Sequence, residues 1–165
     1  IGGVVLVSAT GIALHVLKEF SPNGLLVLLV FLLVWAADVG AYFAGKGLGR
    51  NKLAPTISPG KTWEGFLGGL VLTIGVGLVA GHYLAGIEPS ITWVVVLAAV
   101  AVVSVIGDLL ESLLKRQAAV KDSGSLLPGH GGLLDRLDSV LAAAPLFIFF
   151  TEHAGLLDAT SRIGQ

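Results

Sequence analysis

Three stretches of this chain run without Asp, Glu, Lys or Arg for longer than a soluble fold tolerates. Phe20 to Ala37 covers 18 residues, Gly65 to Ile87 covers 23, and Pro89 to Gly107 covers 19. At a rise of 1.5 Å per residue, roughly 20 residues cross a hydrocarbon core of about 30 Å. The spacing predicts spanning helices near 24–44, 65–85, 91–112 and 133–152, with residues 1–17 as the end of a fifth. The last span is the least apolar, since only Ser139 to Thr151 is free of charge and Pro145 falls inside it. Neighbouring helices accommodate such a proline in membranes. Charged residues make up 13% of the 165 and hydrophobic ones 55%, too little polar surface to cover a soluble core. The expected fold class is therefore all-α, a polytopic transmembrane helix bundle of about five spanning helices, forming one membrane-embedded domain over 1–165. The sequence opens at Ile1 and holds no methionine, so it is expected to be a piece of a longer protein whose N-terminal helices are missing.

The absence of cysteine excludes disulfides, Cys-based zinc sites and thiol nucleophiles together. The apolar content excludes disorder. Orientation follows from the basic residues. Lys46, Arg50, Lys52 and Lys61 fall in one connection; Lys115, Arg116, Lys121 and Arg136 fall in or beside another. The 86–90 turn has none, so the positive-inside rule places 45–64 and 113–132 in the cytoplasm.

Acids gather at the same end. Asp38 lies near the cytoplasmic end of the first full span, and Asp108 at the same depth of the third. Asp135 and Asp138 open the last helix, three apart and so on one face. Acids at such depth are costly and face a cavity or a partner. Taken singly, Asp135 and Asp138 could be no more than helix caps, and Asp38 no more than the partner of a lysine. Carboxylates without Cys or paired His are hard oxygen ligands, suited to Mg²⁺ rather than zinc. His15, His82 and His153 fall in apolar or far-side positions, and only His130 sits among the charges. Asp108, Glu111, Ser112 and Lys115 form one polar stripe at i, i+3, i+4 and i+7. That stripe sets a metal ligand one to two turns from Lys115 and Arg116, a spacing that suits a metal-bound polyphosphate.

Two segments read as anion cradles. Ser58, Lys61 and Thr62 stand before a helix N-terminus, where side chains, free backbone N–H groups and the dipole bind phosphate. The segment is not a P-loop, because the first glycine of that pattern would fall on Pro55. The second cradle, Pro128-Gly129-His130-Gly131-Gly132, permits close backbone approach to a ligand. A Ser112/His130/Asp135 hydrolase triad can be drawn, but no nucleophile-elbow pattern supports it.

The run from Ser112 through Lys115-Arg116, Lys121-Asp122, Pro128-Gly129-His130-Gly131-Gly132 and Asp135-Arg136-Leu137-Asp138 resembles the signature of the phosphatidate cytidylyltransferases. All fixed polar and glycine positions of that 27-residue pattern are present. The stretches Trp35 to Lys46 and Lys52 to Gly65 also resemble bacterial members, with Val39 standing where that family usually carries Ser or Thr. The resemblance implies an Mg²⁺-dependent membrane enzyme that condenses CTP with phosphatidate, giving CDP-diacylglycerol and pyrophosphate. It implies Asp108, Asp135, Lys121 and Asp122 as catalytic residues, with Mg²⁺ on Asp108 and Asp135 and a second cation reached by Asp138. Asp38, Ser58, Lys61, Thr62, Ser112, Lys115, Arg116, His130 and Arg136 are the expected substrate-binding residues. The expected partners are CTP, phosphatidate and the lipid bilayer, with no nucleic acid and a homodimer left open. The expected location is the bacterial inner membrane, with the active site facing the cytoplasm. Two rivals stand beside this reading. One is a CTP-dependent lipid kinase of related fold; the other is a transporter or channel, which should show mid-bilayer acids or repeated halves.

Overall fold

The architecture comes from a computed structural model, which describes residues 2–21, 23–117 and 134–156. Five helices account for nearly all of it: α1 (Gly2–Phe20), α2 (Leu25–Leu48), α3 (Trp63–Ala85), α4 (Ile91–Gln117) and α5 (Leu134–His153). Between α2 and α3 lies a hairpin of β1 (Lys52–Ala54) and β2 (Ser58–Thr62), antiparallel, with Lys52 opposite Thr62 and Ala54 opposite Ser58. The helical bundle matches the expected class; the hairpin does not follow from the charge pattern. Three helices, α2, α3 and α4, are long and apolar enough to cross a membrane by length and composition. With α1 and α5 the bundle has the five helices expected, three of them meeting that standard among the described residues.

The core lies where α1, α2, α4 and α5 meet. Leu17, Leu29, Leu33, Trp93, Leu97 and Phe147 are fully buried there. The Trp93 ring meets Phe147 edge-on at 6.1 Å, and its indole N–H donates to the Gly77 carbonyl at 3.1 Å. That bond satisfies the indole N–H, a polar group that would be costly to bury unpaired. The outward residues are apolar as well, among them Val71, Val79, Tyr83, Val95 and Ile106. In water such a surface would aggregate; facing lipid it needs no cover.

Helices α2 and α3 pack backbone to backbone. A Cβ at Gly40 would stand 2.6 Å from the Gly68 carbonyl oxygen, and one at Gly69 would stand 2.7 Å from that of Ala37. Without glycine at these positions the helices could not approach so closely. The proline in α5 also finds its compensation. Pro145 cannot donate to the carbonyl four residues back, which is Leu141. The Thr10 hydroxyl on α1 lies 2.9 Å from that Leu141 oxygen, and 2.9 Å from its own Leu6 carbonyl. A neighbouring helix thus supplies the donor that the proline removed.

Candidate active site

The local fold brings the basic connection back over the helix ends. Thr62 is the N-cap of α3, its hydroxyl oxygen accepting from the Gly65 amide at 3.1 Å. Glu64, in the first turn, accepts from the Arg50 amide at 3.1 Å and from the Asn51 side chain at 2.8 Å, while the Trp63 amide donates to the Asn51 carbonyl at 3.0 Å. These bonds fix the base of the hairpin to the start of α3. Its far end is held too, because the Arg116 Nε donates to the Ile57 carbonyl. The hairpin therefore lies against the end of α4.

Beneath it is a pocket of about 490 Å³, lined by residues of α2, the hairpin, α3, α4 and α5. That size lies in the range of small-molecule sites. Asp38 and Asp108 both line it, as their shared depth in the sequence predicts, and so do Lys61, Thr62 and Lys115. Lys61 on β2 is ion-paired with Asp108 on α4. One turn on, Glu111 accepts from Lys115 at 3.2 Å. The pocket wall thus alternates carboxylate and ammonium, a pattern suited to a metal-bound polyanion.

Some expected residues stand elsewhere. Ser58, Ser112 and Arg116 are outside the pocket lining, and Arg116 spends one N–H on the hairpin. The Thr62 hydroxyl oxygen serves the helix cap, so its first role is structural. The cradle expected over Ser58–Thr62 is a β-strand, not an open loop. Lys121, Asp122 and His130 lie outside the described residues, as do the side chains of Asp135, Arg136 and Asp138. The α5 backbone nonetheless reaches the site, because Ser139 lines the pocket and Asp135 stands four residues earlier, on the same helix face. Tyr42, Glu111 and Ser139 line the pocket without being expected there. Each carried a faint signal, since Tyr42 follows Asp38 by one turn, Glu111 belongs to the polar stripe, and Ser139 follows Asp135 by one turn.

Among the described residues, no group of three or more His, Cys, Asp or Glu side chains comes together as a metal site. The donors that are present, Asp38, Asp108 and Glu111, are hard oxygens, which fits Mg²⁺ and not a soft metal.

Residues 2–154 match the sequence model of the Cytidylyltransferase family. The chain belongs to that family. Among curated members it is similar to the phosphatidate cytidylyltransferase of Haemophilus influenzae, 49% identical over 133 residues, covering 78% of this chain and 46% of that protein. It is also similar to that of Pseudomonas aeruginosa, 45% identical over 154 residues, covering 93% of this chain and 57% of that protein. The Bacillus subtilis enzyme of the same name is 47% identical over 117 residues, covering 71% of this chain and 43% of that protein. The chain thus spans about half the length of the curated relatives it matches. A solved structure described as an intramembrane enzyme for archaeal membrane lipids biosynthesis superposes with a TM-score of 0.57 at 23% identity, covering 85% of this chain and 90% of that one. This likeness shows a shared fold. With three helices of membrane-crossing length, this cytidylyltransferase-family chain is an integral membrane protein.

Proposed function

We propose that the protein carrying this chain transfers the cytidylyl group of CTP to phosphatidate, giving CDP-diacylglycerol and pyrophosphate. The observation that carries the reading is the pocket at the basic end of the bundle, where Asp38, Asp108, Lys61 and Lys115 line the wall and Lys61 pairs with Asp108. Family membership and the printed names of the relatives support it. A phosphatidate oxygen attacks the α-phosphorus of CTP, the bond to the β-phosphate oxygen breaks, and pyrophosphate leaves. The phosphate monoester is already ionised near neutral pH, so no general base is needed. Lys61 and Lys115 hold phosphates, and the half-enclosed pocket strengthens each charge contact relative to water. Asp108, with Asp135 and Asp138, would hold Mg²⁺, and a second cation beside it suits a site where two polyanions meet. The metal, when bound, neutralises charge that develops on the leaving pyrophosphate. Lys121 and Asp122 are catalytic residues beside Asp108 and Asp135 in this reading, His130 and Arg136 complete the substrate contacts, and Ser58, Ser112 and Arg116 act at its edge. Eight basic residues in two connections favour a cytoplasmic site in a bacterial inner membrane.

The deciding experiment is pyrophosphate release by the protein in detergent, from each nucleoside triphosphate, with and without phosphatidate. Release from CTP that requires phosphatidate is expected. CDP as the nucleotide product would instead mark the lipid kinase, and phosphatidate-independent release would defeat both.

A further inference from the structure

The Lys61 ammonium nitrogen is buried away from solvent, and its ion-pair partner is the Asp108 carboxylate. A buried ammonium persists only with a counter-charge beside it. The same carboxylate is the one that the proposed function assigns to the metal. An ammonium and a divalent cation cannot share one carboxylate face without strong repulsion at that range. The backbone around Lys61 is also held on both sides. Thr62, the next residue, caps α3, and the hairpin's far end is bonded to Arg116 at Ile57. Movement of the ammonium is thus confined to its flexible four-carbon stem, with the strand staying in place.

We propose that Lys61 is a resident counter-cation of Asp108, which a divalent metal ion displaces when it takes that carboxylate. Before the metal arrives, Lys61 neutralises the acid and keeps the pocket closed to stray cations. Once displaced, its ammonium stays at the pocket wall and meets the polyphosphate that accompanies the metal. One side chain therefore makes metal and nucleotide binding favour each other, because each removes an obstacle to the other. The inference rests on the proposed function for Asp108 as a metal ligand.

The test uses the protein in detergent without nucleotide, with Mn²⁺ as the probe. Lysine acetylation followed by peptide mass spectrometry reads the exposure of Lys61, with exposed Lys52 on the same hairpin as the internal standard. In metal-free buffer Lys61 should react at least about tenfold more slowly than Lys52, and saturating Mn²⁺ should raise its rate by at least about tenfold while Lys52 stays unchanged. Electron paramagnetic resonance should show Mn²⁺ alone binding at least about tenfold more tightly to Lys61→Met than to the wild type, with Lys61→Arg close to wild type. Asp108→Asn should abolish the Mn²⁺ effect on Lys61 labelling. Unchanged Lys61 labelling at saturating Mn²⁺ overturns the proposal, as does equal affinity in Lys61→Met. Mn²⁺ binding that ignores Asp108→Asn overturns it too. Pyrophosphate release from CTP in the same preparation separates that last outcome from failure of the transferase reading.

Discussion

Adding a single methyl group to α2 tests how closely the site depends on the α2–α3 contact. In Gly40→Ala the new Cβ would stand 2.6 Å from the Gly68 oxygen and 2.9 Å from the Gly69 Cα, where ordinary contact starts at 3.4 Å. Both obstacles are backbone, so no rotamer change relieves them, and the helices must part by the 0.8 Å between 2.6 and 3.4 Å. Overpacking of this kind costs about 1–3 kcal/mol, against a gain of about 1 kcal/mol for replacing a helical glycine by alanine. The net expectation is a loss of up to about 2 kcal/mol. Gly75→Ala is the control on α3, since nothing lies within 4 Å of its Cβ, and it should match or exceed wild-type stability. Unfolding by SDS titration in mixed micelles, followed by circular dichroism, measures both. The contact also sets the site, because Asp38 comes from α2 while Thr62 and Gly65 come from the start of α3. A displacement near 1 Å costs about 10²-fold in rate at a positioned site, so phosphatidate-dependent pyrophosphate release should fall at least tenfold in Gly40→Ala and stay intact in Gly75→Ala. If the two variants proved equal in stability and activity, the close backbone packing would not be what holds the site.

Three further outcomes are expected. Asp108→Asn should lose several kcal/mol of transition-state stabilisation, more than about 10²-fold in pyrophosphate release, while circular dichroism shows a folded helical protein; near-normal turnover at low Mg²⁺ would remove Asp108 from the metal site. Gly60 lines the pocket with open space around its Cβ, and the chain has no cysteine, so Gly60→Cys should take a maleimide readily and be protected by CTP with Mg²⁺. Thr10→Val keeps the side-chain shape but leaves the Leu141 carbonyl without its donor, and should lower stability in the same SDS titration by about 0.6–1.7 kcal/mol.

The helical membrane architecture and the meeting of Asp38 and Asp108 at one end of the bundle were legible in the sequence because both follow from local properties. The length of a charge-free run determines whether a helix can span, and the ends of such runs determine where the charged residues gather. Asp38 and Asp108 fall at the same end because each stands near the same boundary of its own apolar run. Helix α4 continues to Gln117, past the expected span to 112, because its polar stripe keeps a helical period after the apolar run ends. The hairpin was not legible, since Ser58-Pro59-Gly60-Lys61-Thr62 has no alternating apolar pattern, and its place comes from bonds to Glu64 and Arg116. The same holds for the pairing of Lys61 with Asp108, 47 positions apart, and for the addition of Tyr42, Glu111 and Ser139 to the pocket wall. Glycines in α2 and α3 could be counted in the sequence, but which carbonyl each would strike depends on the crossing of two helices. Span length and charge placement are summed along one segment, and the sequence determined them by itself. Partner choice between segments depends on their relative position in three dimensions, and only the tertiary structure decided it.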